Sequence, residues 1–272
     1  MGDRLETCFD RLRTEGRAGL FPFVTAGDPD LGFTRELLPL MTEAGADGFE
    51  IGVPFSDPLA DGPTIQRSSM RSLAGGTRLS SVLEMVGEVR ADIPDTPLVL
   101  MTYYNPIIAM GLAEFVRGAS RVGADAVIVP DLPPEEAGTL VGIMNDYPLE
   151  PVFMLAPTST QERIELVTDV GGGFIYYVGQ MGVTGARDAL DSDLGATLGK
   201  INRVKNRPVL VGFGIKTPEQ AAEVAGHADG VIVGSALIDV MEAQASREDK
   251  MRAACDYIAS LREGLDRSKT VS

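Results

Sequence analysis

The chain has 272 residues, 44% of them apolar and 23% charged, a composition that suits a large globular domain able to bury its core without disulfides or a structural metal. Its formal net charge of −15 argues against a nucleic-acid partner held by phosphate neutralisation. No run approaches the roughly 18 apolar residues of a membrane span, and Cys8 and Cys255 offer neither a disulfide framework nor metal-ligand spacing, which fits a reducing cytoplasm.

The first stretch, MGDRLETCFDRLRTEG, is charged and amphipathic, without the apolar run of a signal peptide, and predicts a helix covering one end of the domain. Short apolar, β-branched runs follow at 20–25, 48–52, 98–102, 125–129, 151–155, 174–178, 209–213 and 230–234. Amphipathic stretches lie between them at 34–45, 79–92, 111–122, 134–145, 160–168, 193–204 and 217–225, and another at 246–264 follows the last. Near-continuous apolar strand cores alternating with helices predict a buried parallel sheet. Eight such units predict an α/β fold, a single-domain (β/α)8 TIM barrel with an extra N-terminal helix; an open doubly wound sheet is the structural competitor. The even spacing gives no domain boundary, so the barrel is expected over 1–265, with a loose tail at 266–272.

A barrel of this kind carries its chemistry at the C-terminal ends of the strands and in the loops after them. After strands seven and eight stand Gly212-Phe213-Gly214 and Gly234-Ser235, the latter opening a short apolar stretch expected to be helical with Ser235 at its cap. Glycine lets the backbone approach an anion, and a helix N-terminus presents free N–H groups. With Gly182-Val183-Thr184-Gly185 after strand six, these ends predict a phosphate cradle; the competing reading is that the glycines only permit tight turns. The glycines at 179, 182 and 185 also predict a loop over 179–193 that closes over substrate.

Several chemistries are excluded by inventory. A single histidine, His227, cannot build a zinc site of two or three imidazoles, and no metal is expected. None of the five lysines falls in a predicted strand, where a Schiff-base lysine would sit; Lys216, in the loop after strand seven, reads as a solvated charge. The pattern G-x-G-x-x-G fails at Thr217. Carboxylates and hydroxyls remain at the catalytic face: Glu50, Asp61, Asp131, Tyr103, Tyr176, Thr184 and Ser235. Glu50 interrupts the apolar run GFEIG, where burial and a second carboxylate would raise its pKa. Asp61 stands in a loop stiffened by Pro54, Pro58 and Pro63. Two structural readings compete: Glu50 pairing a buried arginine, and Asp61 capping a following helix.

The stretch GVPFSDPLADGPTIQ, with PFVTAGDP, LMTYYNP, PDLPPEE, GVTGAR, GFGI and GSALI at the matching strand ends, resembles the tryptophan synthase alpha subunit family over nearly the whole chain. The resemblance implies cleavage of indole-3-glycerol phosphate to indole and glyceraldehyde 3-phosphate without a cofactor. Pyridoxal phosphate would belong only to a partner beta subunit in an alpha-beta-beta-alpha heterotetramer. It implies Glu50 as the general acid–base, Asp61 as the carboxylate facing the indole N–H, and Tyr176 beside the reacting carbons. Phe23, Met101 and Phe213 would line the ring pocket. Gly185, Gly214, Gly234 and Ser235 would hold the phosphate. Thr184 would meet Asp61 on closure, and the surface at Pro54, Asp57, Pro58 and Asn105 would face the beta subunit. Where the family commonly reads YYVS, this chain reads YYVGQM, and Gly179 and Gln180 loosen the hinge of that loop. A stand-alone indole-releasing lyase and a sugar-phosphate isomerase or epimerase on the same barrel are the alternatives.

Overall fold

The computed structural model describes residues 4–179, 194–204, 207–212 and 214–267. Helix α1 (Arg4–Thr14) precedes β1 (Gly19–Thr25), α2 (Leu31–Glu43), β2 (Phe49–Gly52), α3 (Pro63–Ala74), α4 (Leu79–Asp92) and β3 (Leu98–Met101). There follow α5 (Tyr104–Met110), α6 (Leu112–Arg121), β4 (Ala126–Ile128), α7 (Gly138–Met144), β5 (Glu150–Val152), β6 (Met154–Leu155), α8 (Gln161–Val170) and β7 (Ile175–Val178). The chain continues through α9 (Leu194–Val204), β8 (Val209–Gly212), α10 (Pro218–Ala225), β9 (Gly230–Val233), α11 (Ser235–Glu242) and α12 (Arg247–Arg267).

All the strand pairings are parallel, in the order β5-β4-β3-β2-β1-β9-β8-β7-β6. The two ends of that order are consecutive in the chain, separated only by Phe153. The expected strand at 151–155 is therefore one strand bent at Phe153, its first half paired with β4 and its second with β7. The Tyr176 N–H donates to the Phe153 carbonyl at 3.2 Å, so the ring closes there as a barrel and not as an open sheet.

The base of the barrel is plugged by α1. Its buried residues Leu5, Cys8, Phe9 and Leu12 form one stripe at helical spacing. Phe9 stacks on Phe21 at 5.7 Å between ring centroids, and Phe174 lies 6.2 Å from Phe21, an aromatic layer that seals the end. Just before three strands the chain carries Ala-Asp, and each aspartate accepts an N–H at the start of a neighbouring strand. Asp47 takes Leu20 at 3.0 Å, Asp125 takes Leu98 at 2.8 Å and Asp229 takes Val209 at 2.8 Å. Arg11 and Arg262 neutralise Asp47, and Arg4 and Arg90 neutralise Asp125. Charge at this end fastens the scaffold and leaves the opposite rim for function.

Two helices escape the sequence pattern. Helix α3 buries Ser68, Ser69 and Ser72 in place of an apolar stripe: Thr25 and Ser68 hydroxyls meet at 2.6 Å, and Ser72 donates to the Ala26 carbonyl at 2.6 Å. Helix α5 has seven residues and only Ile107 fully buried, too little for a period to register. At the other end α12 continues through Arg267, where Asp266 pairs with Arg262 at 2.7 Å.

Candidate active site

At the C-terminal rim, a cavity of about 370 Å³ opens among β1, β2, β3, β6, β7 and β9, under the loop before α3 and the loop after β8. Strand alternation decides who faces it. Glu50 sits on β2 in register with Phe23 on β1 and Val99 on β3. Tyr176 and Val178, two apart on β7, turn the same way, and Met154 pairs Tyr176 from β6. Of the sequence-derived site residues, the cavity gathers Phe23, Glu50, Asp61, Met101, Tyr176, Gly214, Gly234 and Ser235. Thr184, Gly185 and Phe213 lie outside the described residues, as do Gln180 and most of the loop over 179–193.

Glu50 is 2% exposed. Its Oε2 accepts from the Tyr176 hydroxyl at 3.4 Å, while Oε1 is buried with no hydrogen-bond partner. No arginine reaches it among the described residues, so the buried ion-pair reading fails. Burial first, then the nearby Asp61 charge, push the carboxyl up to about 8, against a smaller opposing effect of the Tyr176 hydrogen bond. Tyr176 is pushed well above its ordinary value by its own burial and by Glu50, and stays a neutral donor. A Cβ on Gly212 would come within 2.4 Å of the Tyr176 ring, so a glycine on β8 makes room for this tyrosine.

Asp61 is held by the backbone around it. Gln66 donates from Nε2 to the Asp61 carbonyl at 2.8 Å, and the Tyr103 hydroxyl accepts the Ala60 N–H at 3.0 Å while hydrogen-bonding the Asp61 side chain. Burial raises Asp61 to about 6, and the Tyr103 bond restrains the rise. Asp61 does not cap α3; Gly62 occupies that position, without a side-chain cap, and Pro63 fills the first turn. Phe55 packs on Tyr103 at 5.2 Å, which ties the loop to β3.

The opposite end of the cavity is built from backbone. Gly214 has φ of 78°, a conformation that favours glycine, and its loop faces the start of α11. The cap of α11 is Gly234, with no side-chain cap; Ser235, expected as the cap, is the first helical residue. The helix therefore offers its first N–H groups to the cavity without an internal acceptor from a capping side chain.

Asp131 is spent on structure, its Oδ1 accepting the Tyr104 N–H at 2.9 Å, and it does not line the cavity. Cys8 is buried and pushed up to about 12, a thiol and not a nucleophile. Pro54 is buried beneath the loop, Pro58 half-buried, and Asp57 and Asn105 exposed. The sequence reading missed Met154, Val178, Ile232 and Lys216. For Val178 and Ile232 a signal existed, since they stand two residues from Tyr176 and Gly234 on the same strand faces. Among the described residues no group of three His, Cys, Asp or Glu side chains could hold a metal ion, and no helix is long and apolar enough to cross a membrane.

The family model for the tryptophan synthase alpha chain matches residues 9–265. The tryptophan synthase alpha chain of Pelobacter propionicus is 47% identical over 263 residues, covering 97% of this chain and 98% of that one. A crystal structure of the tryptophan synthase alpha chain from Legionella pneumophila superposes with a TM-score of 0.90 at 36% identity, covering 98% of each chain. A chain in the aminoacrylate-bound form of tryptophan synthase from M. tuberculosis gives a TM-score of 0.86 at 32% identity, covering 97% of this chain and all of that one (100%).

Proposed function

The chain belongs to the tryptophan synthase alpha chain family, and from that premise we propose how its cavity carries out the lyase reaction, the retro-aldol cleavage of indole-3-glycerol phosphate to indole and glyceraldehyde 3-phosphate. The observation that carries the reading is a pair of carboxyls in one cavity whose pKa values fall on opposite sides of neutrality, Glu50 at about 8 and Asp61 at about 6. At pH 7 the first holds a proton and the second a charge.

Indole leaves as a neutral molecule only if its C3 gains a proton before the bond to the glycerol carbon breaks. Protonated Glu50 supplies that proton. The ring nitrogen then carries positive charge, and ionised Asp61 stabilises it in a site where water is scarce. Deprotonated Glu50 next takes the proton from the hydroxyl on the carbon bonded to C3. That carbon becomes the aldehyde, the C–C electrons return to the ring, and Glu50 ends as it began, so the protons balance without a cofactor in this chain. Tyr176 orients the Glu50 carboxyl. Phe23 and Met101 line the indole pocket, and the family resemblance assigns Phe213 and Thr184, outside the described residues, to substrate binding. The phosphate is proposed to lie at Gly214, Gly234 and Ser235, with Gly185, outside the described residues, assigned there by the family resemblance.

A second cavity of about 710 Å³ shares Ala60, Met154 and Val178 with the first. We infer that an apolar leaving group departs past these shared residues to a partner subunit. That partner is a beta subunit, in an alpha-beta-beta-alpha assembly within the cytoplasm, where two unpaired cysteines are at home.

The test is indole release from indole-3-glycerol phosphate. Glu50→Gln keeps the shape and removes the transferable proton, and turnover should fall by about two orders of magnitude or more. Asp61→Asn should lose a similar factor, because an amide cannot balance the ring charge. Appreciable turnover by either variant removes that residue from its role.

A further inference from the structure

Lys216 lines the same cavity as Glu50 and Asp61, and no other cationic side chain does so among the described residues. Its backbone is clamped on both sides: its N–H donates to Gln220 Oε1 at 2.8 Å, and its carbonyl accepts from the Tyr257 hydroxyl at 2.9 Å. The next residue, Thr217, caps α10 with a reciprocal bond to Gln220. The lysine therefore leaves a fixed point, two residues after Gly214, in a loop that lines the same cavity as Gly234 and Ser235. The side chain is exposed and forms no ion pair among the described residues.

A phosphate dianion approaching this cavity meets unfavourable electrostatics. The whole chain carries −15, and besides Lys216 the charged side chain that lines the space at pH 7 is the Asp61 carboxylate, with Glu50 protonated. Backbone N–H groups and a short helix dipole supply partial charges only. A mobile ammonium on an anchored base supplies a whole one, and lysine suits phosphate as a point charge without demanding bidentate geometry.

We propose that Lys216 is the cation that holds the phosphate end of the substrate, closing the backbone cradle of Gly214, Gly234 and Ser235; this rests on the phosphate reading of the cavity given above. The lysine is a binding residue with no proton to move, so its loss weakens the hold on the phosphate and raises KM.

The experiment is calorimetric titration of the full chain with sn-glycerol 3-phosphate and, separately, with indole, for the wild type, Lys216→Met and Lys216→Arg. The Met variant should bind sn-glycerol 3-phosphate roughly tenfold more weakly, the scale of one charge-assisted contact. Its affinity should depend less steeply on salt, while indole binding is unchanged and the Arg variant recovers most of the loss. If the wild type binds sn-glycerol 3-phosphate and the Met variant matches it, the role of Lys216 is overturned and the cradle stands. If the wild type binds indole but not sn-glycerol 3-phosphate, the phosphate reading fails and Lys216 falls with it. Equal loss of indole and sn-glycerol 3-phosphate affinity by the Met variant would mean a structural role and also overturn the proposal.

Discussion

The Glu50 carboxyl reaches the Tyr176 hydroxyl through Oε2 at 3.4 Å while its buried Oε1 has no partner. A buried acceptor left unpaired destabilises a fold, and native structures keep few of them. Here the residue that carries the unpaired oxygen lines the cavity proposed to take the substrate.

The cost of that arrangement depends on pH. Burial lifts Glu50 from 4.5 to about 8, so the folded chain holds this proton more tightly than the unfolded one. Its stability contribution is full below about 4.5, declines as pH rises toward 8 and is flat above. Glu50→Gln removes this dependence. The melting temperature of the variant relative to the wild type should climb between pH 4.5 and 8.5, by about 3 °C or more, which corresponds to roughly 1 kcal/mol in a chain this size. Melting curves across that range check it. A difference that stays constant with pH would mean that Glu50 is not buried in its neutral form.

The pH profile of kcat/KM should be bell-shaped, rising as Asp61 ionises near 6 and falling as Glu50 loses its proton near 8. Tyr103 tunes the lower limb, because its hydroxyl bonds the Asp61 side chain and restrains the rise caused by burial. Tyr103→Phe should therefore move the acid limb to higher pH, lowering activity about two- to fivefold at pH 6 and less at pH 7.5. Titration of the substrate phosphate affects both proteins alike and cancels in the ratio. An unmoved acid limb would separate Tyr103 from Asp61.

Why some of this was legible in the sequence and some not follows from periodicity. Strands β1, β2, β3, β4, β8 and β9 bury both faces, so their apolar runs stand out, and Glu50 is visible as a carboxylate inside such a run. Helix α3 is hidden because serines, hydrogen-bonded to β1 and its loop, replace the apolar stripe. The break at Phe153 is hidden because it reflects closure between strands distant in sequence, which no local pattern encodes. Lys216 reads as a loop charge until the anchoring of its backbone by Gln220 and Tyr257 is seen. Ala-Asp precedes three strands, at 46–47, 124–125 and 228–229, but the same pair at 60–61 and 91–92 does not, so the dipeptide alone marks no strand start.

The last prediction concerns the partner. Leu59, in the Asp61 loop, is 90% exposed, and Ile108, on α5, is 54% exposed. The Ala60–Tyr103 hydrogen bond and the Phe55–Tyr103 contact join that loop to the segment leading into α5. Exposed Asp57 and Asn105 flank the same rim. Large apolar side chains held in water beside a catalytic loop fit a surface that a beta subunit covers. Contact there would press on the segment that positions Asp61, so binding and turnover become linked. We propose that a cognate beta subunit raises turnover of indole-3-glycerol phosphate by roughly tenfold or more, within the usual range of coupling energies between sites. Leu59→Asp should abolish most of that stimulation while leaving the low activity of the isolated chain in place, since Leu59 does not line the cavity. We propose the same loss for Thr184→Val, at a position outside the described residues. Glycine at 179 leaves the backbone freer than a serine would, so we propose that Gly179→Ser raises the activity of the isolated chain. Full activity of the isolated chain, unchanged by any beta subunit, would make it a stand-alone indole-releasing lyase.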